Sequence, residues 1–91
     1  MVREQIQART IDRNPRIPFG EPTIEGTRTS VRTIVLAQYM FGSAERVQEQ
    51  LPTLRIPDIG AALNYYQSRR DEINAYIAEN NEGEDIPYER L

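Results

Sequence analysis

All the charge chemistry of this 91-residue chain rests on eleven arginines and fourteen carboxylates, for it contains no lysine, histidine or cysteine. Without imidazole or thiolate, zinc sites, imidazole general bases and disulfides drop out together. Carboxylate catalysis and anion recognition remain. Asp71 and Glu72 are adjacent on a helical stretch and project to different sides of it. Glu82, Glu84, Asp85 and Glu89 fall in a segment with nothing to hold them, whereas catalysis needs groups fixed within a fraction of an ångström. No catalytic, cofactor or metal site is therefore expected, and the chain is not read as an enzyme. Gly20 and Gly26 lack the spacing and the Lys-Ser/Thr ending of a phosphate loop. Gly26 is read as a turn, and Gly20 as a close passage of two backbones.

Arginine offers phosphate contacts or intramolecular forks. Arg28 follows the Gly26 turn; it suits a phosphate, or an ion pair with Glu45 or Asp58, and the ion pair is preferred. Arg32, Arg46 and Arg55 are further candidates for phosphate contacts, which position a protein on nucleic acid without reading sequence. Asn64 has the bidentate amide that can pair with adenine in a major groove. Asp58, expected on the same outward face, would repel phosphates, and Gly60 weakens its helix, so the recognition surface is poor. Near the C-terminus, Ile86, Pro87, Tyr88 and Leu91 set apolar anchors among acids. Such a segment either orders on a partner or stays an unstructured end.

These residues need elements to position them. Thr10-Ile11-Asp12 and Thr23-Ile24-Glu25 read as brief strands, with a turn at Asn14-Pro15 and the weakly apolar Ile6 upstream. Three prolines and two glycines in residues 15–30 exclude a regular helix there. Residues 1–30 thus form an N-terminal β-hairpin or arm, which must pack on something because two strands alone are marginal in water. Ser30 caps a first helix whose stripe is Val31, Ile34, Val35 and Tyr39, and Gly42 stops it. Ser43 starts a second, with Glu45 in its first turn, Val47 and Leu51 facing inward, and Pro52 ending it. A long third opens at Pro57 and runs to Asn80 on a stripe of Ile59, Ala62, Leu63, Tyr66, Ile73 and Ile77, interrupted by Arg69 and Arg70. The expected class is mainly α: a three-helix helix-turn-helix bundle over residues 31–80, the N-terminal arm, and an acidic flexible tail at 81–91.

Charge is polarised along the chain. Residues 1–70 carry net +3 and residues 71–91 net −6, against −3 for the whole. A basic body with an acidic end suits nucleic acid or an electropositive partner, and equally a plainly solvated terminus. No apolar run approaches the roughly 20 residues of a membrane span, and the N-terminus lacks the apolar core of a signal peptide, so a cytoplasmic protein is expected.

Taken in order, Gly20-x-Pro22-x-Ile24-x-Gly26-Thr27-Arg28, then Val31 and Ile34, then Gly42-Ser43-x-Glu45 leading to Leu51-Pro52-x-Leu54, then Asp58-Ile59-x-x-Ala62-Leu63-x-Tyr65 form a signature. Over about residues 10–66 it resembles the domain of unknown function 433 family, whose members are similar to homeodomain-like antitoxins of VapBC-type pairs. Arg55, where relatives commonly carry Ser or Thr as a cap, and Gly60 depart from that pattern. The resemblance implies a three-helix homeodomain-like domain with a β arm and, as partner, a PIN-like ribonuclease toxin with an acidic metal site. Ile86, Tyr88, Arg90 and Leu91 are then the expected partner-binding residues, with Arg90 standing in for the metal's charge. Promoter DNA is a second expected partner and a homodimer the expected state. The alternatives are a homodimeric helix-turn-helix DNA-binding regulator without a toxin, or a structural adaptor module.

Overall fold

The structure, a computed structural model, describes residues 9–13 and 20–91. The expected turn at Asn14-Pro15, and Ile6, lie outside the described residues. Strands β1 (Ile11–Arg13) and β2 (Pro22–Ile24) pair antiparallel with Ile11 opposite Ile24 and Arg13 opposite Pro22. Proline tolerates this place because a strand in a two-stranded ribbon keeps one free edge. Beyond β2 the chain reverses at Gly26, whose φ of 77° is costly for any residue with a Cβ, and Thr27 donates its N–H to the Ile24 carbonyl. Gly20 also has positive φ, and among the described residues nothing lies close to where its Cβ would stand, so the expected close approach of backbones is not seen there.

Helix α1 (Val31–Phe41) starts as expected: the Ser30 hydroxyl accepts from the Thr33 N–H at 3.1 Å. Gly42, at φ 84°, closes it in the left-handed conformation. Helix α2 (Ala44–Gln50) begins at Ser43, whose hydroxyl accepts from the Arg46 N–H. Val31, Ile34 and Val35 are buried, but Tyr39 is 45% exposed. Eight residues after Val31, at roughly 100° each, Tyr39 has drifted about 80° around the helix, to the rim of the stripe.

The long third helix expected from the sequence is two helices, α3 (Ile56–Ser68) and α4 (Arg70–Asn80), so the described residues form four helices and a short hairpin. A continuous helix would have carried Arg69 or Arg70 into the face occupied by Ile59, Ala62, Tyr66, Ile73 and Ile77. Burying an unpaired guanidinium is prohibitive. Instead Arg69 leaves helical geometry, at φ −139° and ψ 43°, and the chain bends. The two arginines then lie over aromatic faces, Arg69 on Tyr65 at 4.3 Å and Arg70 on Tyr66 at 5.0 Å. The bend lets α4 fold back onto α1 and α3, sending Ile73 and Ile77 into the same core as Ile24, Ile34, Val47, Leu54, Ile59 and Tyr66. The buried Tyr66 hydroxyl donates to Asn74 Oδ1 at 2.7 Å, joining the two helices. Among the described residues, no helix is long and apolar enough to cross a membrane.

Candidate functional site

Of the candidate nucleic-acid contacts, Arg28 and Arg46 are exposed and take part in no ion pair among the described residues. Asn64 is exposed on α3, and its carbonyl accepts from the Ser68 hydroxyl. Arg32 is committed elsewhere. Its Nε donates to Glu21 Oε1 at 2.6 Å, and Glu21 is buried beside β2. Arg55 occupies the N-cap position of α3 without making a side-chain cap bond, and its Nε lies 3.5 Å from Asp58. Among the described residues, two of the four arginines therefore keep a guanidinium available to a ligand.

Asp58 corrects the sequence-based expectation twice. It does not face outward but is fully buried, and its partner is not Arg28 but Arg9. The Arg9 backbone N–H donates to Asp58 Oδ1 at 2.8 Å, while Nε and Nη2 fork onto Oδ2 at 3.1 and 2.7 Å. Arg55 N–H also donates to Oδ2, at 2.9 Å. Asp58 thus caps α3 from its third residue, so the helix starts cleanly although Arg55 has no hydroxyl to offer. Burial alone would raise this carboxyl's pKa. The Arg9 fork and the two backbone donors outweigh it and hold the pKa at about 2. A second long-range tie runs from Arg13 on β1 to Glu72 on α4, with Tyr65 also accepting from Arg13 at 3.0 Å. The lone acid at the third position of an α3 that lacks a cap residue is the available signal for Asp58. Nothing in the sequence points to Arg9, 49 residues away.

The C-terminal candidates are brought together. After α4, residues 88–90 form a 3₁₀ turn, and Ile86, Tyr88 and Leu91 are half-buried against the core. Arg70 holds this strap by its backbone, donating to the carbonyls of Tyr88 at 3.0 Å and Leu91 at 3.4 Å. Arg90 is exposed and borders, with Leu91, a groove of about 290 Å³. Val35, Gln38 and Tyr39 of α1 line one side of it, and Leu63 and Tyr66 of α3 the other. Gln38 keeps a buried amide oxygen without a hydrogen-bond partner among the described residues. The segment expected to order on a partner or to stay unstructured is instead seated on its own body.

A family model described as "Protein of unknown function (DUF433)" matches residues 11–66. The chain belongs to the DUF433 family. The DUF433 segment spans the hairpin, α1, α2 and α3 as far as Tyr66; α4 and the C-terminal strap lie beyond it. No curated protein and no solved structure matches the chain significantly.

Proposed function

We propose that this DUF433 protein is an antitoxin-like, non-enzymatic docking module that binds and neutralises a PIN-like ribonuclease. The observation that carries this reading is the strap. It gathers the anchors Ile86, Tyr88 and Leu91 on one short turn and leaves the Arg90 guanidinium exposed beside them. Aromatic and aliphatic anchors around one arginine are the composition of an interface hot spot. Set against an acidic metal site, Arg90 supplies the positive charge the metal would have provided. The arrangement α1, α2, a connection of five residues and α3 is consistent with a homeodomain-like helix-turn-helix body. The site of action would be the cytoplasm and the working unit a homodimer. Co-expression with a PIN-like protein encoded beside it, followed by pull-down, tests the reading. Arg90→Ala and deletion of residues 84–91 are expected to abolish capture and restore ribonuclease activity; full inhibition by the truncated chain rejects it.

A second reading, a helix-turn-helix DNA-binding regulator without a toxin, is favoured by the exposed Arg28, Arg46 and Asn64. Phosphate contacts give affinity that falls steeply with salt. A mobility shift on the upstream DNA at graded salt is expected to show that slope if this reading holds, and a flat response or no shift rejects it.

A further inference from the structure

We infer that the groove between α1 and α3 is a peptide-docking site, and that its intermolecular occupant is the C-terminal segment of a second copy of this chain. The structure itself identifies the fitting ligand, since Leu91 of the chain's own strap already borders this groove, with Tyr88 half-buried against the adjoining core. Arg70 fixes that segment through main-chain carbonyls, contacts that any copy of the segment can repeat. The seat is under-filled: about 290 Å³ stays open beside Leu91, and Gln38 presents a buried acceptor that lacks a donor among the described residues. A strap entering from another molecule is not tethered at Asn81, so it can sit deeper and bring a backbone N–H to Gln38. Tyr39, 45% exposed at the rim, and Met40, 71% exposed beside it in sequence, provide apolar surface for the incoming chain.

Exchange of an identical element is a low-cost route to a dimer, because what the strap gives up on its own body it recovers on its neighbour's. The chain's own strap is the built-in competitor. A short tether gives it an effective concentration in the millimolar range. It therefore gates the groove: a foreign copy enters only when the resident strap is out. No toxin or DNA takes part in this exchange.

A labelled octapeptide of residues 84–91, Glu-Asp-Ile-Pro-Tyr-Glu-Arg-Leu, titrated into full-length protein and read by fluorescence anisotropy, tests the inference. Tyr88→Ser/Leu91→Ser weakens the resident strap's hold while leaving the α1 and α3 walls of the groove intact. This variant is expected to bind the octapeptide at least about tenfold more tightly than the unmodified chain, and a scrambled octapeptide not at all. Adding Arg70→Ala to the doubly substituted chain is expected to remove most of that gain. Equal binding to both chains, no binding to the doubly substituted chain, or equal binding of the scrambled peptide overturns the proposal. Should the double substitution lose its helical circular dichroism, Leu91→Ser alone serves the same comparison.

Discussion

At the scale of single residues, Asp58 dominates. Its pKa is about 2 in the folded chain against an ordinary 3.8, so the folded state binds this proton less readily than the unfolded state does. The stabilisation is complete above the unfolded value and is lost as pH falls through the folded one. At about 1.4 kcal/mol per pKa unit, that amounts to about 2 kcal/mol, vanishing between about pH 5 and pH 2. Urea midpoints across that range are expected to fall for the native sequence and to lose most of that component in Asp58→Asn. Arg9→Ala is more damaging at neutral pH, because it leaves a buried carboxylate with backbone donors and only the more distant, half-exposed Arg55 guanidinium; a cost of about 3 kcal/mol is expected in denaturant titrations. The Arg32–Glu21 pair carries a functional corollary. Glu21→Ala releases the Arg32 guanidinium, so if this face meets DNA, the variant is expected to show a salt slope steeper by about one phosphate contact. Much of this is hidden in the sequence. Arginines and acids announce that ion pairs form, but which pairs is decided by where a hairpin lands on a bundle, and spacing along the chain does not encode that.

Elements are more legible, because caps and periodicity are local physics. Ser30, Gly42 and Ser43 occupy the positions their side chains and backbone freedom suit, and both strands form within one residue of their expected limits. Periodicity misleads at Arg69 and Arg70. Two arginines in an apolar register look like an interruption of one helix, whereas they are the reason for two. Helix α3 still carries Gly60, exposed, in ordinary helical geometry and with open space where a Cβ would stand. Gly60→Ala is therefore expected to add about 0.5–1 kcal/mol, a rise of several degrees in Tm for a domain of this size. Tyr66→Phe tests the joint between α3 and α4. It deletes a buried hydroxyl bond to Asn74 at the cost of about 1 kcal/mol, and amide exchange is expected to quicken in α4 more than in α1.

For the whole molecule, the buried core residues run from Ile24 to Ile77, so the strap borders a groove without building the interior. Deleting residues 84–91 is expected to preserve helical circular dichroism and to lower stability by only about 1–2 kcal/mol, the worth of a few half-covered anchors. That keeps the loss of partner capture separable from unfolding. The position of Arg9 has a wider consequence. The DUF433 segment begins at residue 11 and ends at residue 66, yet the carboxylate that opens α3 is neutralised from residue 9, and Ile73 and Ile77 complete the interior from beyond the other limit. A gene fragment cut to those boundaries would inherit an uncompensated anion and an uncovered apolar wall, and so would be recovered from inclusion bodies rather than as a working unit.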